Sequence, residues 1–259
     1  MSPRRRAATL AFLAIALLAG PAAAAPHDGA RAGAVGQALA ALRVATLAER
    51  IAKLQAQAAQ GVLAERARRA LAQTVRRFDS AVQALARPAS PVELHEALAI
   101  LALIAKEFHA WALKPATRDN ARGLGERADE VAWQAVKAAR LHGLDGAAPA
   151  ARAEEAAALA ARAARLAFWR HWQAGGSSGE RLARAVAGLH AAVDALHAAP
   201  ATPETDAELQ VADNQAAFLF AALDDSRTDA RALETVAKAA DNMQESMERL
   251  AALHAEGAR

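Results

Sequence analysis

The sequence predicts an all-α protein made of two copies of one helical unit, an expectation that rests on three observations. Ala, Leu, Arg and Glu dominate a 259-residue chain with 4% aromatics and no Tyr, a composition of strong helix formers and poor strand formers. Leu71, Val75, Phe78, Val82 and Leu85 step by four, three, four and three, which lays one apolar stripe along a helix. Leu182, Val186, Leu189, Val193 and Leu196 restate that stripe, each displaced by 111 residues. Each copy needs partner helices to bury its stripe, and 54% hydrophobic residues is enough for real cores.

Residues 1–25 read as a secretory signal: Arg4 to Arg6, an apolar run from Ala7 to Ala19, then Gly20, Pro21 and an Ala-rich stretch with cleavage expected near residues 23–25. The run is short for a bilayer span, and no later stretch is long and uncharged enough to be one. The expectation is a periplasmic protein with no membrane span after cleavage.

A first helix should extend to about Gln60 with Leu47, Ile51 and Leu54 inward, closed by Gly61. The second carries the first stripe to about Ala86. In Pro88-Ala89-Ser90-Pro91, Ser90 suits an N-cap, Pro91 the first helical position, and Glu93 completes a capping box. The third helix takes Leu94, Leu98, Leu101, Ile104 and Phe108 towards Leu113. A fourth begins after Thr117 to Asn120, is weakened by Gly123 and Gly125, and stops at His142-Gly143. Residues 143–149 form the linker.

The second copy retraces the first: Leu159, Arg162, Arg165 and Leu166 follow Leu47, Arg50, Lys53 and Leu54 by 112 residues, and Pro200 to Pro203 echo Pro88 to Pro91. Ser177 and Glu180 are placed as a capping box. The last helix follows Asp229 through Val236, Met243, Met247 and Leu250. Eight helices with short connections give two tandem up-down four-helix bundles, at 30–142 and 150–256, with one fused eight-helix bundle as the alternative.

Composition excludes several functions. No Cys means no disulfide, zinc-thiolate site, iron–sulfur cluster or lipoprotein anchor. Outside residues 1–25 the chain has 28 basic and 28 acidic residues, a balance that argues against nucleic acid as the partner. Neither a Gly-x-Ser-x-Gly nor a His-Glu-x-x-His motif occurs, nor a phosphate-cradling glycine loop. The chain therefore reads as non-enzymatic, with no metal site or cofactor expected.

Three groups are candidates for function. His190, Asp194 and His197 lie at metal-compatible helical spacing but flank the second stripe, so a solvated shoulder is the plainer reading. In Phe168-Trp169-Arg170-His171-Trp172 the aromatics point several ways. Trp169 or Trp172 either packs between the copies or forms a partner surface. Arg50 with Lys53, and Arg162 with Arg165, share helix faces three residues apart. Meeting across a bundle, they could hold a small anion; facing solvent, they would pair with Glu49, Glu154 or Glu155.

The stretch Arg50-Ile51-Ala52-Lys53, with Arg77-Phe78-Asp79 on the next helix and a Pro/Ser break after it, resembles the PilJ-type helical sensory domain of type IV pili chemotaxis transducers, related to the sensor module of NarX-type kinases. Arg43 matches the first arginine of the family's pattern, while Leu42, Ala45 and Thr46 stand where it has glycine, arginine and methionine. The second copy is similar through Arg162, Leu166 and Thr202-Pro203-Glu204. The resemblance implies a sensory or accessory protein. Its ligand would be a small anion or other small molecule at Arg43, Arg50, Lys53, Arg162 and Arg165, and its partner a membrane-bound signalling protein. A structural or chaperone-like protein docking on another protein is the alternative.

Overall fold

The computed structural model describes residues 27–85, 91–146, 148–172, 178–225 and 231–257. Among these, eight α-helices and no strand occur: α1 (His27–Gln60), α2 (Ala64–Leu85), α3 (Val92–Ala112), α4 (Arg118–Leu141), α5 (Pro149–His171), α6 (Ser178–His197), α7 (Pro203–Asp225) and α8 (Ala232–Gly257). The chain is all-α. No helix among the described residues is long and apolar enough to cross a membrane. The expected signal segment, the Ser90 cap, the Ser177 half of a capping box and Asp229 lie outside the described residues.

The helix ends follow local chemistry. Gly61 and Gly143 take positive φ, +81° and +80°, where a side chain would be strained. The Thr117 hydroxyl accepts the Asn120 amide at 3.3 Å and starts α4. Thr202 and Thr205 exchange backbone and hydroxyl hydrogen bonds at the start of α7. Pro149 opens α5. Pro91 differs from expectation: it sits in extended backbone one residue before α3 rather than in its first turn.

Within the first repeat α1 packs on α2 and α4, and α3 packs on α4. The ring closes where Phe78 of α2 meets Phe108 of α3, centroids 5.1 Å apart. The second repeat copies the plan: α5 packs on α6 and α8, α7 on α8, and His190 stacks on Phe220 at 3.8 Å to close it. Positions 190 and 220 are 78 and 108 shifted by 112. Both expected stripes face inward, and burying a side chain such as Phe78 or Phe108 contributes about 1.5–3 kcal/mol.

The repeats lie side by side through α1 and α5. Contacts ascend together along both helices, Arg43 and Thr46 meeting Glu154, Glu49 meeting Arg162 and Arg165, so α1 and α5 run parallel. Both are Ala-rich and buried on nearly every side, the pattern of a helix enclosed by its own repeat and by the other. Ala56 of α1 and Ala121 of α4 belong to the apolar cluster of the second repeat, so the first repeat contributes side chains to the second core.

Candidate functional site

The α1–α5 junction gathers all five of the cations that the sequence singles out. Lys53, wholly buried, donates to Asp241 Oδ1 at 2.7 Å and to the Ala237 carbonyl at 3.1 Å, both on α8. Arg165, also wholly buried, donates to the Gly125 carbonyl at 3.0 Å and to Asp129 Oδ1 at 2.8 Å, both on α4. Lys53 and Arg165, Asp241 and Asp129, Ala237 and Gly125 are each 112 residues apart. The two crossings are therefore one interaction made twice, each tying a central helix to the other repeat.

The remaining partners surround these crossings. Glu49, fully buried, accepts from Arg162 at 2.7 Å and from Arg165 at 3.0 Å. Arg162 and Arg181 also bind Asp129. Arg43 pairs with Glu154 at 3.3 Å and Glu248 at 2.6 Å, and Arg50 and Arg77 reach Glu248 at 3.6 and 3.2 Å. Thr46 donates to Glu154 Oε2 at 2.8 Å. The five basic residues thus converge inside the molecule, each already facing a carboxylate. Their neighbours Glu49 and Glu154 do pair with them as the exposed-face reading supposed, but in a buried setting.

Burial and charge compete here. Burial pushes Lys53 below its ordinary value against the attraction of Asp241. Burial also raises Glu154, with Arg43 and Thr46 opposing. At Asp129 burial is the largest single influence, yet Arg165, Arg162 and Arg181 together outweigh it and hold the carboxyl below its ordinary value. Glu49 raises Arg162.

Two glycines of α4 make room for tryptophans, Gly125 at this junction and Gly123 against α3. A Cβ at Gly125 would fall inside the Trp169 ring and against Arg165, and one at Gly123 would meet Trp111. Trp169 is buried there, its ring 4.8 Å from the Arg165 guanidinium and 5.5 Å from that of Arg181. Between the two readings open for this aromatic cluster, Trp169 packs between the copies. Trp172 is half-buried against the second core, and its carbonyl accepts from Arg118 at 2.6 Å.

Beside the junction runs an open groove of about 750 Å³ between α4, α5 and α6. Leu159 and Leu166 form its floor; Lys137, Arg140, Arg181 and Arg184 line it, and Trp133, 66% exposed, stands at its edge. Among the described residues no carboxylate pairs with Lys137, Arg140 or Arg184. A second hollow of about 270 Å³ shares Ala132, Val136, Arg140, Leu159 and Arg162 with it and continues towards Leu42, Ala45 and Leu144.

The sequence reading missed Lys137, Arg140, Arg184 and Trp133: Trp133, Lys137 and Arg140 share one face of α4 at i, i+4 and i+7, a signal that was available, but Arg184 comes from α6 of the other repeat and no spacing links it to them. It also missed Asp129 and Asp241, which the 112-residue offset could have paired. His190, Asp194 and His197 are exposed, with His197 on Asp213 at 2.9 Å, and no group of three or more metal-ligating side chains forms a site among the described residues. No family model, curated protein or solved structure matches the chain.

Proposed function

We propose that this is a non-enzymatic exported protein of PilJ-like helical architecture that binds a small anion in the groove between α4, α5 and α6 and presents it to a membrane-bound signalling partner. One observation carries the reading: Lys137, Arg140 and Arg184 line a groove of small-molecule size without carboxylate partners among the described residues, whereas Arg43, Arg50, Lys53, Arg162 and Arg165 are already engaged by carboxylates. An anion at Arg50 or Lys53 would have to displace a buried acid. One at Arg184 would meet a solvated cation.

The test is thermal melting in phosphate-free buffer with nitrate, nitrite, sulfate, phosphate and small carboxylates. Ligand at ten times its Kd stabilises by about 1.4 kcal/mol, a rise on the order of 2–4 °C. A rise with one anion that disappears in Arg140→Ala and Arg184→Ala supports the reading; no rise with any of them sinks it.

The outward face of α3 favours a second reading, docking on a protein partner. Val92, Ile100 and Leu103 are exposed there, Leu103 at 71%, an apolar face of the kind that marks interaction surfaces. Leu103→Glu would weaken binding to such a partner and leave any anion-induced rise in melting unchanged.

A further inference from the structure

The positions equivalent to the open groove fall on α8, α1 and α2, on the opposite side of the junction, where a hollow is lined by Arg43, Leu47, Arg76 and Arg77 of α1 and α2. There Glu248 projects from α8 and gathers Arg43, Arg50 and Arg77. The residue 112 positions earlier is Val136, which lines the open groove. On that side Glu248 engages three arginines; in the open groove the lining carboxylate, Asp129, is engaged by Arg162, Arg165 and Arg181, and Lys137, Arg140 and Arg184 have no carboxylate partner among the described residues.

The open groove also differs from a plain anion site in what lies beneath the charges. Its floor, Leu159 and Leu166, is apolar, and beyond Val136 and Leu159 the hollow continues between Leu42, Ala45 and Leu144. The two carboxylates of that continuation are occupied, Glu154 by Arg43 and Thr46, Glu155 by Arg152 at 2.7 Å. Flexible solvated cations hold a bare ion weakly, whereas contiguous apolar surface rewards every methylene laid on it.

We propose that the groove binds a single anionic amphiphile, its acidic head at Lys137, Arg140 and Arg184 and its hydrocarbon chain running over Leu159 into the limb bounded by Leu42, Ala45 and Leu144. This rests on the reading of the groove as an anion site and names the ligand class. Trp133, at the edge, covers the part of the chain nearest the head.

Isothermal titration calorimetry of the purified protein with acetate, hexanoate, octanoate and decanoate, all below micellar concentrations, tests it. The expected result is affinity that rises about three- to fourfold per buried methylene. Decyltrimethylammonium should bind at least tenfold more weakly than decanoate. Decanoate binding should also fall at least tenfold in Arg140→Ala/Arg184→Ala, whose altered side chains are exposed. Val136→Glu, which copies Glu248 into the open groove, should lower it similarly, with helical circular dichroism and melting temperature as the check on folding. Acetate binding as tightly as decanoate would overturn the amphiphile and leave the anion site standing. Binding of neither decanoate nor any inorganic anion would remove both. Equal binding of decanoate and decyltrimethylammonium would overturn the charged head. Flotation with anionic vesicles alone, without titration by decanoate, would overturn it in favour of a membrane surface.

Discussion

The two crossings at the junction share a backbone and differ in charge chemistry. Lys53 meets one carboxylate, Asp241, while Arg165 meets two, Asp129 and Glu49. A buried lysine can release its proton, and an arginine cannot, so the arginine crossing needs the additional acid that Glu49 provides. The flanking grooves differ in the same way. Where Glu248 stands it binds three arginines, and where Val136 takes its place Lys137 and Arg140 of α4 and Arg184 of α6 are left exposed without a carboxylate partner among the described residues, Arg181 being held by Asp129. The two halves thus repeat the same helix contacts but not the same charge partners.

Removing acids from the two crossings should break the comparison most strongly at the arginine. Glu49→Ala strips a fully buried carboxylate from both Arg162 and Arg165, and urea denaturation should show a loss of about 3–5 kcal/mol. Asp241→Asn should cost less, about 1.5–3 kcal/mol, the value of a hydrogen bond to a charged group. Its cost should shrink as pH rises: Lys53 has a lowered pKa in the folded state, lower still without Asp241, so the unfolded chain binds the proton more tightly and stability increases with pH up to the ordinary lysine range. A cost independent of pH would mean that Lys53 keeps its charge in the variant.

The paired helix positions Gly125 and Ala237 sharpen the contrast. Gly125→Ala should destabilise by about 1–3 kcal/mol through overpacking against Trp169, although alanine is the better helix former. In the other repeat Ala237→Gly should cost about 1 kcal/mol from helix propensity. If Gly125→Ala were stabilising, the tryptophan would have room that the packing denies it.

The smallest effect is expected at Glu154. Its folded pKa is raised, so the folded state binds the proton more tightly, and this group's contribution to stability falls as pH climbs from the ordinary 4.5 towards the raised value. Asp129 acts in the opposite sense, contributing above its ordinary 3.8 and losing that contribution as pH falls through its depressed value. Glu154→Gln should flatten the decline on the alkaline side of 4.5 and leave the acid limb, set by Asp129, unchanged. Stability followed by denaturant titration from pH 3 to 8 would show a steeper decline in the variant if the sign were wrong.

Much of this was legible in the chain. The stripes at Leu71 to Leu85 and Leu182 to Leu196 face the cores, Gly61 and Gly143 end their helices, and Arg50, Lys53, Arg162 and Arg165 share faces that point inward. Gly123 and Gly125 read as weaknesses in α4, yet each makes room for a tryptophan from another helix, which no local pattern announces. Trp133, on the path of α4 through Val131 and Val136, turned outward because helical spacing alone does not say how much of a helix circumference its neighbours cover.

Helix identity, helix ends and the 112-residue repeat were determined by the sequence alone, because propensity, capping and periodicity act over one or two turns of chain. The side-by-side meeting of α1 and α5, the pairing of cations with Asp129, Asp241 and Glu248, and the groove between α4, α5 and α6 were decided by the tertiary structure. Those features depend on which residues more than a hundred positions apart share one space, and on whether burial leaves a charge with a partner.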